Sequence, residues 1–165
     1  MYLLGISRQS IEIIIAITLL VAIIVTGVVL VIRSLKNGYK DVFKFQSKFD
    51  IELRKTINLF SKINTDGAMK EYNDVVVKNL DHEEKIKLLD LIDDEYGKID
   101  QKDENNKYAV ETYENLQEMR RIHDSKALVF NHRILMFPFN IFARFYKMKK
   151  WDLYIHDKNE EIKKN

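Results

Sequence analysis

The sequence predicts an all-α protein: one N-terminal transmembrane helix followed by an antiparallel three- to four-helix bundle. Three observations predict it. Residues 13–32 are 20 consecutive positions without a charge, interrupted only by Thr18, Thr26 and Gly27. Beyond them, apolar residues recur at helical spacing and nowhere at strand alternation. The 165-residue chain also holds only one proline and five glycines, too few turn formers for a sandwich or barrel.

The span is assigned to 11–32, a helix rising roughly 33 Å, close to the thickness of a hydrocarbon core. A cleaved signal peptide has a shorter apolar region and a small-x-small cleavage site. This run instead exits through Val31-Ile32-Arg33-Ser34-Leu35-Lys36. A buried core helix would show a polar stripe, and the run has none. A lipoprotein anchor needs a cysteine, and the chain has none.

Flanking cations set the expected orientation. Arg8 precedes the span, whereas Arg33, Lys36, Lys40, Lys44 and Lys48 follow it, opposed only by Asp41. The positive-inside bias puts residues 1–10 outside as a short tail and 33–150 in the cytoplasm as the bundle. Residues 151–165 read as a loose polar tail. Glu12 lies at the boundary, where headgroups and water reach it, so it reads as interfacial rather than as a functional intramembrane acid. A cysteine-free chain forms no disulfides, which suits a reducing compartment.

Setting aside Arg8 and Glu12, the domain keeps 26 of the 27 basic and 24 of the 25 acidic residues. That density suits charged helices with narrow apolar seams. The charge is uneven. Residues 79–104 carry ten acids against four lysines, whereas 120–150 carry eight cations against one acid. Two complementary faces of the bundle, or a partner surface, are the readings of this asymmetry.

In the domain, Val42, Phe45, Phe49, Leu53, Ile57 and Phe60 mark a first stripe, continuing the membrane helix into water and stopping at Asn64-Thr65-Asp66-Gly67. Met69, Tyr72, Val76 and Leu80 predict a second helical stripe. Asp81 and Glu84 have the form of a capping box, opening a stripe through Ile86, Leu89, Ile92, Tyr96 and Ile99, so the middle of the chain reads either as one helix with a break at Asp81 or as two short ones. Residues 100–106 read as a loop. Tyr113, Leu116, Met119, Ile122, Ala127, Phe130, Ile134 and Phe137 predict a long helix ended by Pro138. Asn140 is placed as the cap of a last helix over 141–150.

The segment Asn131-His-Arg-Ile134-Leu-Met-Phe137-Pro138-Phe-Asn140-Ile141-Phe-Ala143-Arg-Phe-Tyr146-Lys-Met-Lys149 resembles the C-terminal signature of the LemA family, approximately N-x-x-I-x-x-F-P-x-N-I-x-A-x-x-F-G-F-K. Asn131, Ile134, Phe137, Pro138, Asn140, Ile141, Ala143 and Lys149 match identically, and Tyr146 matches as an aromatic. Phe49-Asp50-Ile51-Glu52-Leu53-Arg54-Lys55 is similar to the family's I-D-V-Q-L-K-R. Lys147 stands where the pattern has glycine, Met148 where it has an aromatic, and no proline occurs near Ile57-Asn58. The chain thus resembles a divergent or shortened member. The resemblance implies a short outer tail, one span and a helical bundle, and carries no catalytic activity or cofactor.

No nucleotide-binding glycine loop or nucleophile elbow occurs. His82, His123, His132 and His156 lack metal-ligand spacing. Residues 93–104 mimic a calcium loop, but the glycine and the aliphatic each come one position early. Neither a metal nor a cofactor is expected. Phe142, Arg144, Phe145, Lys147, Lys149, Lys150 and Trp151, with Phe139 and Tyr146, form the expected interaction surface. Rods running away, back and away again would leave it far from the anchor, favouring a protein contact over lipid. The expectation is a non-enzymatic scaffold or interaction module at the cell membrane. Its partners are the bilayer and a protein or a second copy, with no nucleic acid or small-molecule substrate. The alternative is a protein that grips anionic lipid through this basic aromatic segment.

Overall fold

The computed structural model describes residues 8–63, 68–72 and 74–155. The predicted turn at 64–67, most of the N-terminal tail and residues 156–165 lie outside the described residues. The described residues hold four α-helices: α1 (Arg8–Ile63), α2 (His82–Gly97), α3 (Lys107–Arg133) and α4 (Phe139–Phe145). The described residues contain no strand.

α1 runs unbroken for 56 residues, roughly 84 Å of helix. Its first part is long and apolar enough to cross a membrane, and side chains from Ile11 to Leu30 stand exposed except Val28, which is half-buried. Thr18 and Thr26 donate their hydroxyls to the carbonyls of Ile14 and Ala22, both at 2.8 Å. The polar groups of this stretch are thereby satisfied within the helix, as an apolar solvent requires. Arg8 and Glu12 pair at 3.2 Å at its exposed start.

Further along, α1 buries Leu35, Val42, Phe49, Leu53, Ile57 and Phe60, the predicted stripe with Leu35 added and Phe45 only half-buried. α3 packs against this stripe in the opposite direction. Its start lies beside Asn58 and Lys62, where Tyr108 lines a shared hollow. Its middle brings His123 to Phe49, ring centroids 6.3 Å apart. Its end brings Phe130 and Arg133 to Gly38, where a Cβ would stand 3.2 Å from the Phe130 ring. A mid-helix glycine is costly; here it lets the two helices close on each other.

α2 begins with the predicted capping box. The Asp81 carboxylate accepts from the Glu84 N–H and the Glu84 carboxylate from the Asp81 N–H, each at 2.8 Å. Lys85 reaches Asp50 at 2.7 Å, and Tyr96 stacks on Tyr113 with centroids 3.7 Å apart. α2 therefore points the same way as α1 and opposite to α3.

That arrangement overturns the helical stripe expected from Met69 to Leu80. α1 ends 13 residues beyond Asp50, roughly 20 Å, so the chain must travel back before α2 can start. It does so through two short 3-10 turns, Ala68–Tyr72 and Val77–Asn79. Met69 and Val77 are buried while Val76 is exposed. Arg54 pins the returning chain by donating to the Val75 carbonyl at 3.1 Å.

Four further expectations need correction. α3 ends at Arg133, four residues before Phe137, because the Pro138 ring leaves no room for a helical carbonyl at Ile134. α4 covers 139–145 rather than 141–150, and Asn140 lies inside it, exposed, with Pro138 at the cap position. In α3 the next fully buried positions after Leu116 are the polar His123 and Asp124, which the stripe did not include, while the predicted Met119 packs half-buried against the core and Ile122 is half-buried. Residues 151–155 are no loose tail: Tyr154 is 5% exposed and belongs to the core.

Candidate functional site

Residues 151–155 are locked to the helices by polar contacts. The Asn131 amide brackets Trp151, donating to its carbonyl at 2.7 Å and accepting from its N–H at 2.8 Å. Asp124 accepts from the N–H groups of Tyr154 and Ile155, the latter at 2.7 Å. Arg120 donates to the Tyr154 carbonyl. The Tyr154 ring stacks on Phe49 with centroids 4.5 Å apart, and burial pushes its hydroxyl well above the usual phenol range. Its hydroxyl accepts from Gln46 at 3.0 Å. Residues 151–155 thus form a strap in the seam between α1 and α3, which explains why polar residues face inward there.

α4 ends in a Schellman turn. The Met148 N–H donates to the Ala143 carbonyl at 2.9 Å and the Lys147 N–H to the Arg144 carbonyl at 3.1 Å. Between them Lys147 takes φ 53, the left-handed conformation that glycine adopts most readily.

The family-motif residues divide into two sets. Asn131 holds the strap, while Ile134 and Ala143 are buried with Leu35, Val42, Ala127 and Phe130 in a second core cluster. Pro138 is half-buried at the start of α4. Phe137, Asn140, Ile141 and Tyr146 are exposed, with Phe137 at 77%. Of the expected interaction residues, Arg144, Phe145, Lys147, Lys149 and Lys150 are exposed, Phe145 at 79%. Phe142 and Trp151 instead pack against the second cluster, where Trp151 meets Tyr39 with centroids 5.3 Å apart.

The position of this surface corrects the expectation that it lies far from the anchor. α3 returns along α1, so its end and α4 sit beside the exit of the apolar run. Arg133 approaches the Ser34 hydroxyl at 3.3 Å, and the Lys36 ammonium stands 5.3 Å from the Tyr146 ring centroid. An open hollow of about 480 Å³ there is lined by Tyr39, Tyr146, Lys147, Met148, Lys149, Lys150 and Trp151. The acidic stretch 79–104 lies mainly on α2 and the loop after it, toward the opposite end. The described residues contain no group of acids, histidines or cysteines able to hold a metal ion. Missed from sequence were Gln46, Arg120, Asp124 and Tyr154; polar residues interrupting an apolar stripe at 123–124 were the available signal. Compared with family models, curated proteins and solved structures, the chain matches none of them.

Proposed function

We propose that this protein is a single-pass membrane-anchored, non-enzymatic helical module of the LemA type. Its N-terminus lies outside the cell and its helical bundle on the cytoplasmic face, where it serves as a scaffold or interaction module. One observation carries the reading: a single helix passes without a break from an exposed apolar stretch into the packed domain. The domain is thereby held close to any bilayer that contains residues 11–32. Confinement to a surface raises its effective concentration toward other membrane proteins. The cation bias after the span supports the orientation, and the motif over 131–149 supports the family reading.

A partner sharing the membrane plane meets the flank of the domain. There Phe43, Ile51 and Val76 are exposed around an open hollow of about 700 Å³. Because the chain has no cysteine, single cysteines test the topology directly. A membrane-impermeant maleimide should label Gln9→Cys in intact cells and Lys98→Cys only after permeabilisation. Labelling of Lys98→Cys in intact cells rejects the orientation. Crosslinking from Phe43→Cys should recover a discrete adduct with a second copy or another membrane protein. Its absence, with no specific partner retained in mild detergent, rejects the scaffold reading.

A further inference from the structure

α3 carries the chain back toward the apolar run, and the residues after Ile134 form the tip of the domain on that side. The tip is apolar on its outside: Leu135, Met136, Phe137, Ile141 and Phe145 are all exposed. Ile141 and Phe145 stand four apart on one face of α4. Exposed apolar patches of this kind mark a surface meant to be covered. No acid lies between Asn131 and Lys150, whereas Arg133, Arg144, Lys147, Lys149 and Lys150 do. Arg33, Lys36 and Lys40 add three more cations on the adjoining stretch of α1. Cations framing an outward aromatic and aliphatic face are the composition of an interfacial membrane element.

The height of the tip decides what covers it. Val28, Val31 and Ile32 are half-buried and Leu35 is buried, all toward one side of α1, whereas the apolar residues from Ile11 to Val25 stand exposed. The folded domain therefore reaches down beside the last turn of the apolar run, from Ile32 to Val28, roughly 6 Å along the helix. If residues 11–32 lie in a bilayer, the tip cannot avoid its surface.

We infer that Leu135–Phe137 and the outer face of α4 insert into the interfacial layer of the same bilayer that the N-terminal helix crosses. This rests on the proposed membrane anchoring and deepens it. The domain then has two attachments, a span and an interfacial wedge, and cannot swing freely about the first. Lys147, Lys149 and Lys150 face the headgroup layer, so anionic lipid strengthens the second contact.

The full-length chain, labelled with an environment-sensitive fluorophore at single cysteines and reconstituted in phosphatidylcholine vesicles with or without phosphatidylglycerol, tests this. Labels at Phe137→Cys and Phe145→Cys should shift to the blue and be quenched by shallow nitroxide lipids, more strongly with phosphatidylglycerol. A label at Asp100→Cys should respond to aqueous iodide alone. In an Ile141→Glu/Phe145→Glu background the Phe137→Cys label should lose its lipid quenching. Circular dichroism should not change, because both altered side chains are exposed. Tip labels as accessible to iodide as Asp100→Cys, with Val25→Cys still lipid-protected, overturn this inference and leave the anchor standing. An iodide-accessible Val25→Cys overturns the anchoring itself. A Phe137→Cys label unmoved by the double glutamate variant also overturns the inference.

Discussion

Asp124 shows what a single residue contributes at the seam. Its buried carboxylate accepts from two backbone N–H groups of the strap and meets His123 Nδ1 at 2.9 Å. Removing it leaves those donors unpaired, and the loss of buried charged hydrogen bonds costs about 3 kcal/mol. Asp124→Ala should lower the thermal midpoint of the full chain in detergent and open the strap to protease, while Asp124→Asn, which keeps one acceptor oxygen, should lose less. The residue was illegible in the sequence because its partners are backbone groups 30 and 31 positions away. Side-chain patterns keep no record of such contacts. Lys147 shows a cost carried by one backbone angle: its φ of 53 is the left-handed conformation that glycine adopts most readily. A lysine held there costs about 1 kcal/mol relative to a helical conformation. Lys147→Gly should therefore stabilise the chain by about 0.5–1 kcal/mol in denaturant unfolding, and Lys147→Val should destabilise it.

Among the elements, α2 was the most legible, since Asp81 and Glu84 announce its start through a local, reciprocal bond. The segment 68–80 was the least legible. Its path depends on α2 pointing the same way as α1, which nothing local encodes. The pairing of α2 with α3 shows this long-range dependence too. Tyr113 donates to Asp93 at 2.9 Å. Burial, then that hydrogen bond, push its hydroxyl from 10.0 up to about 12. The neutral phenol is the form that the folded chain prefers. Its contribution is intact below the unfolded value near 10 and is lost as pH rises toward about 12. Tyr113→Phe should cost about 1 kcal/mol at neutral pH through the missing hydrogen bond. Unfolding followed along a pH series should show the wild-type advantage shrinking above pH 10 and constant below it. A difference that stays flat through alkaline pH would mean that the Tyr113–Asp93 bond does not couple α2 to α3.

At the scale of the whole molecule, charge asymmetry was readable as a number but not as a direction. Only the return of α3 along α1 turns it into a basic end beside the apolar run and an acidic end away from it. The same return makes the height of the domain a mechanical quantity, because residues 34–42 of α1, the end of α3 and α4 share one cluster and move as one piece. Inserting seven polar helix-forming residues after Arg33 adds two turns and lifts that piece by roughly 10.5 Å, with little change in its facing. Polar residues cannot enter the hydrocarbon, so the span itself stays where it was. The second core cluster, from Leu35 onward, lies beyond the insertion, so the domain should still unfold cooperatively and give up only the partial cover of Val28, Val31 and Ile32. If the tip rests in the interface, the Phe145→Cys label should then lose its quenching by shallow nitroxide lipids and become accessible to iodide. Quenching that survives the insertion would mean that the domain finds the bilayer independently of α1, and that the unbroken helix does not set its height.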